Sequence, residues 1–467
     1  MTRADTVASL LALAFAAGCL SASPCQAAAP ARPNVVVILI DDHGYGDLSV
    51  HGCKDIATPH MDSIAKAGIR CTNGYVSAPQ CSPTRAGFMT GRYQQRFGHE
   101  YNAAIPDSAL SLNETTLAER MKAAGYATGL VGKWHLGSDD KHRPQARGFQ
   151  EFFGFLGGAN PYLPQGPRGV VPRILRGTAD ANEKEYLTTA FGREAAAFID
   201  RHQKEPFFLY LAFNATHGPM QATDEQLAQF PGIANGQRRI HAAKTAALDA
   251  AVGRVLEKLR TAGLEENTLV VFFNDNGGPT DVNASDNSPL RGVKGETREG
   301  GIRVPFFVKW PGKLPAGKVY DQPVISLDIH PTVLEAAGVP APADAKLDGV
   351  SLLPYLTGAK AGPPHETLYW RFNFPANHPD RYKWAVRRGD WKLFTDIDHN
   401  RRKGDQEVKN GNVKLVNLAT DITETHDLSA EHPEKVTELR AAWEKWNAEM
   451  APSGRKARPA RDEDNDD

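Results

Sequence analysis

Residues 35–40, Val-Val-Val-Ile-Leu-Ile, form an apolar run with no polar interruption, and five of the six are β-branched. A half-exposed strand would alternate apolar and polar residues. An unbroken run of this length predicts a strand covered on both faces, as in a parallel sheet packed between helices. The run ends in Asp41-Asp42, and the same design recurs three times. Residues 207–213 end in Asn214-Ala215-Thr216-His217, and residues 269–273 end in Asn274-Asp275-Asn276-Gly277-Gly278. The shorter run 127–131 ends in Gly132-Lys133-Trp134-His135. Helical periodicity fills the intervals at 58–68, 117–124, 188–202 and 244–262, with Gly125 and Gly263 as stops. Strands alternating with helices imply an α/β domain with a mostly parallel sheet flanked by helices. Ligands of such sheets gather outside the carboxyl ends of the strands. Four strand ends here carry metal-capable or cationic residues.

A further strand is expected at 302–310, and 324–334 leads into a helix with Asp328 near its start. Pro-rich sequence at 340–342 and 363–364 sets a boundary near 360. Beyond it, short runs at 368–370, 384–387, 391–394 and 415–418 are separated by turns, with Gly389-Asp390 as a hairpin connection. A helix follows over 433–450. This stretch, 361–450, reads as a smaller C-terminal antiparallel sheet plus helix. Residues 451–467 are charged, lack apolar anchors and are expected to be disordered.

The N-terminus has Arg3, an apolar run over 7–20 and small residues through 31, which reads as a secretory signal peptide over 1–27. The alternative is a lipoprotein anchored through Cys19, at Ala16-Ala17-Gly18-Cys19, though the usual Leu three residues before the cysteine is absent. Either reading sends the mature protein out of the cytoplasm, to the periplasm or the medium, with no transmembrane span. Net charge is −1, from 54 basic and 55 acidic residues, so nothing general favours nucleic acid or a membrane surface as partner. Of five cysteines, Cys19 and Cys25 fall in or near the signal. Cys53, Cys71 and Cys81 remain, an odd number in an oxidising compartment. Cys53 and Cys71 can pair or stand as separate thiols, and in the first case Cys81 is set aside for chemistry.

Cys81 opens Cys-Ser-Pro-Thr-Arg-Ala-Gly. It is expected one residue before a helix, with Ser82 as cap and Pro83 in the first turn. Arg85, one turn in, is expected to reach back to the thiol. Free N–H groups, the helix dipole and a guanidinium then converge on one nucleophile. Asp41, Asp42, Asp275 and Asn276 offer oxygen ligands only, which favours a hard cation such as Ca²⁺ over zinc. Any one of these residues alone more often caps a turn. Two strand ends that each present a ligand pair point to a metal.

The Cys-x-Pro-x-Arg run resembles the signature of the type I sulfatases, with Thr84 where that family most often has Ser. Four further motifs are similar to that family's. They are Asp-Asp-x-Gly-Tyr-Gly-Asp with Asp-Asn-Gly, Gly-Lys-Trp-His-Leu-Gly at 132–137, Thr-His-Gly-Pro-Met at 216–220, and Lys294-Gly295 followed by Glu-Gly-Gly-Ile-Arg-Val-Pro at 299–305. Together they span roughly 33–450 in family order. The resemblance implies an alkaline-phosphatase-like fold, with a catalytic domain over 32–360. It implies that a maturation enzyme oxidises Cys81 to formylglycine, an aldehyde whose hydrate attacks sulfur. Residue 81 and the four oxygen ligands then hold Ca²⁺. Arg85 and Lys133 hold the formylglycine oxygens, and His135 acts as base in expelling sulfate. His217 and Lys294 bind the ester and protonate the leaving oxygen. The expected substrate is a sulfated small molecule or polysaccharide, of the galactosamine-6-sulfate or algal galactan type. Segments 96–102, 155–165, 283–291 and 370–387 are candidates for the sugar site. The rival readings are a phosphodiesterase or phosphonate monoester hydrolase of the same superfamily, and a non-catalytic sulfated-glycan-binding protein. Intact catalytic positions argue against the last.

Overall fold

The strand Asn34–Asp41 is buried along its whole length and lies inside a ten-stranded sheet. The computed structural model describes residues 32–102, 109–164, 173–341, 345–373, 382–395 and 413–452. The expected signal peptide with Cys19 and Cys25, and the tail beyond 452, lie outside the described residues. Five strands run parallel in the order Thr268–Asn274, Asn34–Asp41, Phe207–Thr216, Ala127–Lys133, Glu151–Phe155. Their carboxyl ends therefore share one edge, and four of them are the polar-tipped runs read from the sequence. Phe306–Lys309 pairs antiparallel with Thr268–Asn274, so the sheet is mixed but mostly parallel at its centre.

The unbroken apolar runs serve both faces. Val35, Val37 and Leu39 join Phe208, Tyr210, Val271 and Phe273 in one core with Phe88 and Met89 of the helix Cys81–Thr90. Val36, Ile38 and Ile40 face the other core, against Phe191 of Leu187–Arg201 and Leu248, Val252 and Val255 of Gly236–Thr261. Each fully buried side chain of this kind contributes about 1.5–3 kcal/mol, so the alternation locks the register of each strand. That register decides which residue stands at each strand end.

The C-terminal sheet is antiparallel, in the order Thr367–Asn373, Tyr382–Arg388, Trp391–Thr395, Val413–Asn417, and Gly389-Asp390 makes the second turn. The helix Pro433–Ala448 packs on it through Leu439, Trp443 and Trp446. The architecture is the expected α/β fold with a smaller antiparallel sheet plus helix. No helix among the described residues is long and apolar enough to cross a membrane.

Two local expectations are corrected, and one open alternative is decided. The helix expected from 244 begins at Gly236, because Asn235 accepts the Arg238 N–H at 2.9 Å and caps the polar first turns. The strand expected over 302–310 is confined to Phe306–Lys309. Pro305 has no N–H for a ladder, and Glu299–Ile302 forms a helical turn instead. Cys53 and Cys71 are separate free thiols, Cys71 buried in the strand Ile69–Cys71 and Cys53 half-exposed beside Asp55.

Candidate active site

Asp41 ends the strand Asn34–Asp41 with Asp42 directly after it, and Asp275 and Asn276 follow the neighbouring strand Thr268–Asn274. Parallel pairing between these strands puts the two acidic ends side by side. The helix Cys81–Thr90 delivers Cys81 to the same place. One ligand atom each from Asp41, Asp42, Cys81 and Asp275 lies within 4.8 Å of the others. All four residues are buried.

Three cations face these three carboxylates. Arg85 Nη2 is 2.9 Å from Asp275 Oδ2 and 3.1 Å from Asp41 Oδ2, and Lys133 Nζ donates a very short hydrogen bond to Asp41 Oδ2. Lys294 Nζ lies 2.7 and 2.9 Å from the two oxygens of Asp42. Burial alone would raise the Asp41 carboxyl, but Lys133, His217 and Arg85 hold it well below the usual range. Asp275 is pushed up to about 6 by burial and by Asp41, with which it shares Arg85.

The donor set fits a hard cation. Asn276 Oδ1 is buried without a hydrogen-bond partner, while its amide nitrogen donates to Asp42 Oδ1 at 2.7 Å. An orphaned carbonyl oxygen beside three carboxylates is a ligand set of oxygens.

Backbone conformation marks the same spot. Asp42 has φ of 58° and His135 has φ of 62°, a region that costs non-glycine residues about 1–3 kcal/mol each. Side chains hold both. Asn283 Nδ2 and Thr216 Oγ1 donate to the Asp42 carbonyl at 2.8 and 3.2 Å, and Ser82 Oγ donates to the His135 carbonyl at 2.7 Å.

Two expectations about the Cys81 helix change. Cys81 is its first residue, Gln80 precedes it in an extended conformation, and Ser82 makes no cap hydrogen bond because its hydroxyl is committed to His135 and His99. Arg85 is spent on Asp41, Asp275 and the Lys133 carbonyl instead of the thiol. The cation at the sulfur is Lys294, with Nζ 3.3 Å from Sγ. Burial, Asp275 and Asp41 together push the thiol up to about 12, away from an activated thiolate.

The histidines complete the rim. His217 Nδ1 lies 2.8 Å from the Gly218 carbonyl, so that nitrogen carries a proton, and Nε2 faces Asp42 Oδ2 at 3.6 Å. His135 Nδ1 is buried without a partner. Burial, Lys133 and Arg85 hold its ring neutral. All ten residues singled out from the sequence thus meet at one edge of the sheet.

The candidate sugar segments divide. Arg96 is held by Asp348 and Glu100 by Arg371, as structural ion pairs. His99 and Asn102 bond Ser82, next to Cys81. In 155–165, Gly158 abuts the His135 ring and Tyr162 donates to the His217 carbonyl at 2.8 Å. In 283–291, Asn283 supports Asp42. Residues 103–108, 165–172 and 374–381 lie outside the described residues.

Several supporting residues carry weaker sequence signals. Tyr210 is a polar residue inside an apolar, buried strand and Lys244 a charged one inside a buried stretch of helix, and both touch the site's framework. Asp47, the last acid of the Asp-Asp-x-Gly-Tyr-Gly-Asp run, accepts from Gly44 N, Asp286 N and Arg238, with His241 Nε2 at 2.9 Å. Those partners close its charge and fix the loop behind Asp42.

Comparison with known proteins agrees with this geometry. A family model described as Sulfatase matches residues 33–339, and one described as N-sulphoglucosamine sulphohydrolase, C-terminal, matches 295–442. Arylsulfatase A of Homo sapiens is 36% identical over 419 residues, covering 82% of this chain and 77% of its own. N-acetylgalactosamine-6-sulfatase of Canis lupus familiaris is 35% identical over 363 residues, covering 72% of this chain and 68% of its own. A crystal structure of Ps i-CgsB in complex with k-i-k-neocarrahexaose superposes with a TM-score of 0.82 at 34% identity, covering 91% of this chain and 94% of that one. Its fold, its strand-end acids and these matches together make the chain a member of the sulfatase family, a sulfuric ester hydrolase of the alkaline phosphatase superfamily.

Proposed function

We propose that the protein hydrolyses sulfate monoesters of carbohydrates, of the galactosamine-6-sulfate or algal galactan type, with formylglycine at position 81 and Ca²⁺ on Asp41, Asp42, residue 81, Asp275 and Asn276. The observation that carries this reading is the convergence of three carboxylates, an orphaned Asn276 oxygen and three cations on buried Cys81. The sulfatase family typically uses a metal and a formylglycine. The carbohydrate reading draws on relatives whose names refer to a galactosamine sulfatase and to a neocarrahexaose complex.

When present, the dication supplies positive charge against the ester oxygens, and the hydrated aldehyde at position 81 supplies an oxygen nucleophile. The chain's own residues account for the rest. Arg85 and Lys133 fix Asp41 and border residue 81, which leaves Lys294 as the cation nearest the incoming sulfate. His217 holds its Nδ1 proton on Gly218, so in the imidazolium form, which Asp42 and Asp41 favour against burial, Nε2 carries the second proton and is the atom that hands it to the leaving oxygen. His135 Nδ1, neutral and unpartnered, accepts a proton at residue 81. Processing by a formylglycine-generating enzyme and export to the periplasm or medium belong to the same proposal.

The family assignment favours sulfate over phosphate monoesters. A sulfate monoester brings one negative charge, whereas a phosphate monoester brings close to two near neutral pH, so the two make different demands on the same cations. On aryl esters with the same leaving group, sulfate hydrolysis is expected to exceed phosphate monoester and diester hydrolysis by at least ~100-fold in kcat/KM, or about 2.7 kcal/mol. Equal or faster phosphodiester cleavage would make the phosphonate-hydrolase reading the better one. A panel of sulfated sugars tests the substrate, and activity on aryl sulfate alone would remove the carbohydrate assignment.

A further inference from the structure

Lys244 lies on the helix Gly236–Thr261, on the buried side shared with Leu248, Ala251 and Val255. It is fully buried, yet it pairs with no carboxylate among the described residues. Its ammonium instead donates to three backbone carbonyls of one turn: Thr216 at 3.0 Å, His217 at 2.6 Å and Pro219 at 3.1 Å. The Tyr162 ring lies beneath it, with the centroid 4.1 Å from Nζ. Tyr162 Oη shares its one proton between the Asn214 carbonyl, at 2.5 Å, and the His217 carbonyl, at 2.8 Å. Three N–H groups meet three carbonyls, so a strongly hydrated group is buried at a cost that its hydrogen bonds must offset.

A plain stability role would place such a lysine at any buried turn. This turn is the one that carries His217. The imidazole is tied to it through Nδ1 and the Gly218 carbonyl, which leaves the position of Nε2, 3.6 Å from Asp42, set by the turn. Thr216 Oγ1 of the same turn donates to the Asp42 carbonyl at 3.2 Å. A continuous set of contacts therefore runs from Lys244 through the turn to the nitrogen that faces the leaving oxygen.

We propose that Lys244, seconded by Tyr162, is a positioning residue for leaving-group protonation, and that it lets the enzyme cleave sulfate from poor leaving groups such as sugar alcohols. The proposal rests on the reading of His217 as the proton donor. In that step the oxygen nucleophile at position 81 bonds to sulfur as the ester S–O bond breaks, the electron pair of that bond goes to the leaving oxygen, and the Nε2 proton of imidazolium His217 follows it, leaving the ring neutral with its Nδ1 proton on Gly218. An activated phenol leaves without needing that proton, whereas an aliphatic alcohol does not. A misplaced His217 therefore penalises sugar sulfates and spares activated aryl sulfates.

The test is a series of aryl sulfates of rising leaving-group pKa, with a sugar sulfate at the end. It uses full-length matured enzyme, with rates normalised to formylglycine content. Lys244→Met is expected to lose at least ~10-fold in kcat on the poorest leaving groups and less than ~3-fold on the best, a part of the ~10²–10⁴-fold that a general acid contributes. Tyr162→Phe, which keeps the ring, is expected to show a smaller loss with the same leaving-group trend, and it stands in if Lys244→Met does not fold. His217→Ala should show the steepest dependence, and Lys244→Met added to it should steepen it no further. A loss in Lys244→Met, or in Tyr162→Phe as its substitute, that is uniform across the series overturns the positioning role while the acid assignment stands. A flat response in His217→Ala overturns the acid assignment and the proposal with it.

Discussion

Lys294 Nζ sits 2.7 Å from Asp42 Oδ1 and 3.3 Å from Cys81 Sγ, so one ammonium bridges a carboxylate of the acidic cluster and the residue proposed as nucleophile. A dication held by these carboxylates would take over the neutralisation of Asp42 and free this charge for the substrate. Lys294→Ala is therefore expected to lower kcat/KM for sulfate esters by about 10²–10³, the usual scale for removing one charge-stabilising donor. Steady-state kinetics check this, and a loss under ~3-fold would show that Lys294 does not face the transition state.

Calcium should stabilise the fold through Asn276. A ligand that binds only the native state adds about 2.7 kcal/mol at a hundred times its Kd. Unfolding midpoints measured with excess calcium and then with chelator should differ clearly in the parent and converge in Asn276→Ala. Asp41→Ala should lower the midpoint even in chelator, because it strands Arg85 and Lys133 without a shared carboxylate. Stoichiometric zinc in active enzyme would point to a different metal chemistry.

Stability should also depend on pH through the C-terminal sheet. Lys392 Nζ lies between Glu299 Oε1 at 2.8 Å and Glu424 Oε1 at 2.7 Å, all three buried. Burial and nearby Glu299 push Glu424 up to about 7, while Lys392 and Arg303 hold Glu299 ionised. A carboxyl with a raised native pKa contributes stability below its ordinary pKa and loses it as pH rises through the raised value. Parent stability should fall between about pH 5 and pH 8, and Glu424→Gln should flatten that fall. An unchanged slope in Glu424→Gln would assign the pH dependence elsewhere.

The parallel core was legible because buried strands need unbroken apolar runs, and the chemistry stands where those runs stop. Asp41, Asp42, Asp275, Lys133, His135 and His217 could be placed at one edge from that pattern alone. Their partners could not. Arg85 was expected at the thiol, but two acids on neighbouring strands outcompete one sulfur, and only the pairing register reveals that. Lys244 and Tyr162 lie far from His217 in sequence and meet it through backbone carbonyls, which leave no side-chain signature. The same holds for Lys383, whose Nζ donates to the Gly295 carbonyl at 3.0 Å and ties the C-terminal sheet to the loop of Lys294.

The central claim is that oxidised Cys81 is the nucleophile of a sulfatase. The most direct test is the mass of the tryptic peptide over residues 71–85, measured alongside sulfate release on the same preparations. The expected result is an aldehyde or its hydrate at position 81, with activity rising in proportion to the modified fraction and absent in Cys81→Ala that remains folded. Full turnover by protein whose Cys81 is an unmodified thiol would contradict the account.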